Sequence, residues 1–126
     1  MDYDGIKRLA NRLGVAMEVP RDKDVVTLSP PERVTDELRE AIRENKGWVM
    51  RNLLVEQAVR YLNENYVKGA DITVLYEPGR RMDEAYSLEV PLEQYRQAVR
   101  EYVRAGMREF RRVRAELEQT KRKMVS

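Results

Sequence analysis

The feature that most constrains this chain is a long amphipathic pattern near its C-terminus. Apolar or small residues recur there every three or four positions, which is the period of one face of an α-helix. They are Leu92, Tyr95, Val99, Tyr102, Gly106, Phe110, Val113 and Leu117. Pro91 suits the first helical turn, where its missing N–H needs no partner. We therefore predict a helix of about seven turns that packs through this face.

The N-terminal residues predict a helix followed by a β-hairpin. Residues 3–13 place apolar side chains at helical spacing, and Gly14 follows as a stop signal. VAMEV (15–19) alternates apolar and other side chains as a strand does, and VVTL (25–28) is rich in β-branched residues. The polar stretch between them predicts a charged hairpin loop. Pro30-Pro31 ends the second strand, because proline cannot continue a ladder.

A capped helix follows the hairpin. Thr35 is a good N-cap, because its hydroxyl can accept a hydrogen bond from a free amide of the first turn. Asp36 and Glu37 then lie where the positive helix end favours acids. NKG (45–47) either ends this helix through a left-handed residue or only kinks it. The apolar period resumes at Trp48, which predicts a further helix with Trp48 as an anchor in the core or a dimer interface.

The stretch from residue 66 to residue 90 allows two interpretations. DITVLY has the composition of a strand, so a hairpin could turn at Pro78-Gly79. The same residues could form two short helices, the first of them capped by Asp71. We favour the helices, because a lone hairpin between two helices would need a sheet to join. Under either interpretation we expect Glu77–Arg81 to be a surface turn.

The composition argues against an enzyme. The 126 residues include no cysteine and no histidine. This removes disulfides, thiolate nucleophiles, the commonest zinc ligand and the usual general base at neutral pH. The acids between residues 71 and 84 fit neither a calcium loop nor a catalytic pair. We expect no enzymatic activity, no cofactor and no metal site.

The chain shows no signal for a membrane. No apolar run approaches the roughly 20 residues that a membrane span needs. The N-terminus, MDYDGIKRLANRL, mixes acids with bases and lacks the apolar core of a signal peptide. We expect a cytoplasmic protein without membrane contact.

The first 54 residues resemble a known family. The order helix, hairpin, helix, helix, together with LANRLGVAMEV and DVVTLSPPERVTDELREAIRENKGWVMRNLL, resembles the N-terminal docking domain of the TubC type. That domain is found in hybrid peptide/polyketide synthetase subunits. The resemblance implies a small αββαα module that tends to dimerise and offers its hairpin to a short segment of a partner protein.

Carried over residue by residue, the resemblance implies a partner-binding site on the hairpin. It would comprise Val25, Val26 and Thr27 on the second strand, with Arg21 and Lys23 in the turn. An exposed strand edge has free amides and carbonyls with which an extended peptide can pair. The nearby bases would attract an acidic segment.

The basic residues of the last helix form a second candidate site. Residues 91–126 carry ten Lys and Arg against five Asp and Glu. Clustered guanidiniums can neutralise phosphates and release counterions, which predicts contact with nucleic acid or an acidic partner. The candidate residues are Arg104, Arg108, Arg111, Arg112, Lys121, Arg122 and Lys123.

The alternative is a solvated helix face with ion pairs along it. Arg96, Arg100, Arg104, Arg108 and Arg112 form a ridge at four-residue spacing. The predicted pairs, each three residues apart, are Arg96–Glu93, Glu101–Arg104 and Glu109–Arg112. We favour this alternative, because acids dilute the ridge and no aromatic residues are interleaved on it.

Gly106 lies inside the long helix, where glycine costs about 1 kcal/mol relative to alanine. Its small size predicts close approach of another helix, from this chain or from a second copy, and so favours an oligomer. Altogether the sequence predicts an α+β, mainly α protein. It would have a docking module at 1–54 and a helical extension at 55–126. We expect a homodimeric adaptor for a protein partner; the alternative function is nucleic-acid binding.

Overall fold

The fold combines five α-helices with one small β-hairpin within the described part of the chain. The computed structural model describes residues 1–125, with side chains as far as Met124. The elements, in chain order, are α1 (Tyr3–Leu13), β1 (Ala16–Glu18), β2 (Thr27–Ser29), α2 (Asp36–Glu44), α3 (Lys46–Glu64), α4 (Tyr76–Glu84) and α5 (Leu92–Val125). Short 3₁₀ helices cover Pro31–Arg33 and Ile72–Leu75. The predicted class, α+β and mainly α, is confirmed.

None of the helices in residues 1–125 is both long enough and apolar enough to span a bilayer. The chain divides into two compact units, Met1–Gln57 and Ala58–Ser126, and their boundary falls inside α3. We call them unit 1 and unit 2.

Unit 1 begins with a helix whose two ends are set by local hydrogen bonds. The Asp2 carboxylate accepts from the Gly5 N–H at 2.9 Å and so caps α1. Gly14 ends the helix in the left-handed conformation, with φ of 70°, which glycine adopts without steric cost. Ile6 and Leu9 lie on the buried face. The predicted first helix and its stop are confirmed.

The hairpin is short and is tied to α3. β1 and β2 pair antiparallel, with Met17 opposite Leu28. Gln57 of α3 holds both backbone groups of Val19: its Oε1 accepts from the Val19 N–H at 2.8 Å, and its Nε2 donates to the Val19 carbonyl at 3.0 Å. Glu56 accepts from the Tyr3 hydroxyl at 2.8 Å. These contacts fix the hairpin and α1 against α3 within unit 1.

The Thr35 cap predicted from the sequence is confirmed, since its hydroxyl accepts from the Leu38 N–H at 3.2 Å. Leu38 is completely buried. α2 ends at Glu44, and Asn45 interrupts the helix with φ of −125° and ψ of 24°. The chain therefore breaks at NKG without a left-handed residue. The Asn45 side chain donates to the Ala41 carbonyl at 3.0 Å, which satisfies one of the last carbonyls of α2.

In unit 2, residues 72–84 are helical, as favoured, and form no hairpin. Asp71 caps the 3₁₀ helix by accepting from the Thr73 N–H at 3.0 Å. The surface turn expected at Glu77–Arg81 is wrong, because these residues lie inside α4. Arg80 pairs with both Glu77 and Glu84, at helical spacing, which supports the helix.

α5 buries its predicted face only along part of its length. Tyr95 is 1% exposed, and Phe110 and Val113 are also buried, but Leu117 is 49% exposed. The helix nevertheless continues for 34 residues, beyond the predicted end. Gly106 lies against Leu62 of α3: a Cβ at position 106 would be 2.7 Å from Leu62 Cδ2. The close approach predicted for Gly106 therefore occurs inside unit 2, and Gly106 no longer argues for an oligomer.

Candidate functional site

A groove in unit 1 lies between the second arm of the hairpin and the α2–α3 segment. Its volume is about 380 Å³. Three of its lining residues come from the hairpin arm, and the other four come from α2 and the first residue of α3. They are Val25, Val26, Leu28, Arg39, Ile42, Arg43 and Lys46. The groove thus combines four apolar side chains with three basic ones.

Local structure explains why the bases gather at this groove. Because Thr35 fixes the start of α2, the buried side of the helix turns Leu38 and Ala41 into the core of unit 1. Arg39 and Arg43 are four residues apart in α2, which places them on one side of that helix. Lys46 follows the interruption at Asn45 and lines the same groove. All three are exposed.

The groove carries positive charge that unit 1 compensates only in part. Arg43 pairs with Glu40 at 3.0 Å. The side chains of Arg39 and Lys46 make no hydrogen bond or ion pair with any residue between Met1 and Met124. Two cations beside an apolar floor can therefore receive an acidic group from outside the molecule.

The predicted partner-binding residues are only partly brought together. Val25 and Val26 line the groove, but β2 begins at Thr27, so their assignment to the strand is wrong. Thr27 lies outside the lining, and its hydroxyl donates to the Glu18 carbonyl at 3.2 Å. Arg21 and Lys23 lie in the exposed loop and do not line the groove either.

The sequence interpretation missed the part of the groove that α2 and α3 provide. Ile42 and Arg43 follow Arg39 at three and four residues, so their common side of α2 was visible in the sequence. What was not visible is that this side faces the hairpin arm.

The second candidate site, on α5, has a more complex charge pattern than its sequence suggested. The Glu109–Arg112 pair is confirmed, with Arg112 Nε 2.6 Å and Nη2 2.8 Å from the two carboxylate oxygens. Glu109 is 7% exposed and also accepts from the Asp71 N–H at 2.7 Å. The Arg112 hydrogen bonds, followed by the Asp71 backbone bond, lower the pKa of Glu109 to about 2. Arg112 therefore helps to fasten the start of the 3₁₀ helix to α5.

Several other predicted contacts on α5 differ in the structure. Arg96 is 5% exposed, so it does not belong to a solvated ridge. The Glu101–Arg104 pair is absent from the described residues, and Glu101 instead lies 3.8 Å from Arg81 of α4. Glu93 pairs with Arg100 at 3.2 Å.

The remaining bases of the α5 candidate site fall into two groups along the helix. Arg114, a neighbouring base outside the predicted set, donates to the Asn65 carbonyl at 3.2 Å. Lys121, Arg122 and Lys123 are exposed near the end of the described helix, and Arg122 and Lys123 each have a contact of their own. Arg104, Arg108 and Arg111 are exposed along the middle of α5.

No group of three or more potential metal-ligating side chains occurs in the part of the chain that the structure describes.

Comparison of the chain with protein-family models, with curated proteins and with solved structures gives no match. The resemblance of residues 1–54 to the TubC type therefore stays a prediction.

Proposed function

We propose that this protein is a non-enzymatic adaptor that binds an acidic, partly apolar segment of a partner protein in the groove of unit 1. The observation that supports this proposal is the composition of the groove. Its apolar floor, formed by Val25, Val26, Leu28 and Ile42, lies beside the uncompensated charges of Arg39 and Lys46.

The floor supplies affinity through burial of apolar surface. Each apolar side chain that a partner buries fully is worth about 1.5–3 kcal/mol before the cost of ordering the segment. A groove of about 380 Å³ suits a few side chains of a short segment. Val25 is 43% exposed in the free protein, so a partner can cover additional surface there.

The basic side chains orient the bound segment and make the groove specific for acidic partners. Arg39 and Lys46 would pair with carboxylates of the segment, and the floor would receive the apolar residues beside them. Backbone pairing along the hairpin contributes less than we expected from the sequence. β2 has only three residues, and only alternate residues of a strand direct their backbone groups away from the paired neighbour.

Selection of a random peptide library on the full chain tests this function. We expect recovered peptides to combine Asp or Glu with Leu, Ile or Val. A fluorescein-labelled selected peptide then serves as the probe in anisotropy titrations. The variant R39E/K46E should weaken binding of this peptide at least tenfold, because two attractions become two repulsions.

The matched control is R8E/R60E, which changes the net charge equally at two exposed positions outside the groove. It should bind the peptide nearly as tightly as the unmodified chain does. The proposal fails if the selected peptides lack acids, or if both double variants lose the same affinity.

Homodimerisation and a cytoplasmic location stay predictions of the sequence. Sedimentation analysis tests homodimerisation.

A further inference from the structure

Three arginines in the middle of α5 have no acidic partner among the described side chains. Arg104, Arg108 and Arg111 are exposed, and none of their guanidinium groups makes a hydrogen bond or ion pair with a residue in the range 1–124. The sequence predicted an ion pair between Glu101 and Arg104, but in the structure Glu101 forms its ion pair with Arg81. The solvated-face interpretation therefore accounts for Arg112 and not for these three residues.

The three side chains lie on one face of the helix. They follow one another at spacings of four and three residues, which align on an α-helix. α5 packs through its other face, where Tyr95, Phe110 and Val113 are buried. We call Arg104, Arg108 and Arg111 the arginine row.

We propose that the arginine row binds the phosphate backbone of nucleic acid. At a rise of about 1.5 Å per residue, the row spans about 10 Å along the helix axis. Each strand of duplex DNA carries one phosphate per roughly 3.4 Å of its axis, so about three phosphates fit this length. A guanidinium can also bind phosphate oxygens through two parallel hydrogen bonds.

The surroundings of the row favour a phosphate backbone over an acidic peptide. One helical turn before and after the row, the same face presents Arg100 and Ala115. Met107, three residues after Arg104 and four before Arg111, also lies beside the row and is partly exposed. A peptide would gain less from burial against this one side chain than against the four apolar side chains of the unit 1 groove. Contacts to a phosphate backbone derive their strength from charge and counterion release, which an apolar floor does not improve. Contacts to phosphates carry no sequence information, so we expect this binding to show no sequence preference.

Anisotropy titrations of the full chain with a fluorescein-labelled generic DNA duplex test this proposal. With three phosphates contacted, the logarithm of affinity should fall with the logarithm of salt at a slope of about −2.7. This corresponds to an affinity loss of about 40-fold between about 50 and 200 mM salt. The variant R104Q/R108Q/R111Q keeps good helix formers and should abolish most of the binding and most of this slope.

The matched control is R8Q/R60Q/K68Q, which removes the same charge at exposed positions elsewhere. It should retain the DNA affinity and the salt slope of the unmodified chain. Circular dichroism establishes that both triple variants keep their helix content. The proposal is overturned if the two variants lose affinity equally, or if neither does. It is also overturned if labelled polyglutamate binds the unmodified chain as tightly as DNA, because the row would then recognise acidic protein.

Discussion

The contact between Gly106 and Leu62 predicts whether the substitution Gly106→Ala raises or lowers the stability of unit 2. A Cβ added at position 106 would lie 2.7 Å from Leu62 Cδ2 and 3.3 Å from both Leu62 Cδ1 and Leu75 Cδ2. Carbon atoms in good contact are about 3.5–4.0 Å apart, so Leu62 would have to retreat by about 1 Å. Leu62 is 5% exposed, so a retreat would move it against protein atoms and not into solvent.

Two opposing terms decide the stability of Gly106→Ala. Replacing glycine by alanine inside a helix stabilises by about 1 kcal/mol, whereas overpacking a core costs about 1–3 kcal/mol. We therefore expect Gly106→Ala to lower the free energy of unfolding of unit 2 by about 1 kcal/mol. In the background of Leu62→Ala the clash with Leu62 disappears, so the same change should stabilise unit 2 instead. The coupling energy of this double-mutant cycle should be about 1–3 kcal/mol.

Gly79 provides the matched control for the same substitution. It also lies inside a helix, but the nearest heavy atom to an added Cβ is Tyr102 Cε2 at 3.5 Å, an ordinary contact. Gly79→Ala should therefore raise the stability of unit 2 by up to about 1 kcal/mol.

Urea unfolding followed by far-ultraviolet circular dichroism measures these changes, because α5 supplies a large share of the helix signal. Fluorescence of Trp48, the single tryptophan, reports unit 1 separately and shows whether the two units unfold together. The packing argument is refuted if Gly106→Ala stabilises unit 2 as much as Gly79→Ala does. It is also refuted if the substitution has the same effect with and without Leu62.

Three other predictions concern the ends of elements and one carboxylate. Thr35→Ala should lower the free energy of unfolding of unit 1 by about 1 kcal/mol, because the Leu38 N–H loses its acceptor. Thr35→Ser should recover most of this loss. Urea unfolding followed by Trp48 fluorescence measures both changes. Gly14→Ala should cost about 1–2 kcal/mol, because φ is 70° there, and Gly14→Asn should cost less in the same measurement. The pKa of Glu109 is about 2 in the folded chain, below its ordinary value of 4.5, so unit 2 should lose stability as the pH falls from about 4.5 to about 2. Glu109→Gln should reduce this loss in a comparison of urea unfolding at several pH values.

Each of these predictions has a result that contradicts it. Equal stabilities of Thr35→Ala and Thr35→Ser would mean that the hydroxyl does not cap α2. A loss at Gly14→Asn as large as at Gly14→Ala would mean that the left-handed backbone is not the cause. If Glu109→Gln loses as much stability at low pH as the unmodified chain does, a group other than Glu109 causes the loss.

The helix ends were predictable because they depend on residues close together in the chain. Thr35 and Asp71 cap through hydrogen bonds to amides only two or three residues away, and Gly14 ends α1 through its own backbone conformation. Such interactions use side-chain chemistry and spacing that the sequence states directly. The helical period of α5 is similarly local, so its packed face could be identified.

What could not be predicted is what lies against each face. Leu117 continues the apolar period of α5, yet it is 49% exposed, because periodicity identifies a face but not whether a neighbour covers it. Pro78-Gly79 is a common turn signal, but the ion pairs of Arg80 with Glu77 and Glu84 accompany a helix there. Proline near a helix start costs no backbone hydrogen bond, so it does not exclude α4.

The groove illustrates the same limit for the candidate site. Val25 and Val26 entered the prediction through the resemblance, whereas Arg39, Arg43 and Lys46 belong to a segment whose orientation only the folded chain reveals. A site assembled from a hairpin arm and a helix depends on tertiary contacts, and no local pattern in either segment encodes them.

The two basic surfaces should differ in their response to salt, because only one of them has an apolar floor. The proposed binding of DNA to the arginine row would depend on charge alone, so the affinity of the DNA duplex should fall steeply with salt. The proposed binding of a peptide in the groove would combine ion pairs with apolar burial, and salt does not screen the apolar part. Titrations of the selected peptide and the duplex at the same salt concentrations therefore separate the two functions. A peptide affinity that falls as steeply as the DNA affinity would show that the groove floor contributes nothing.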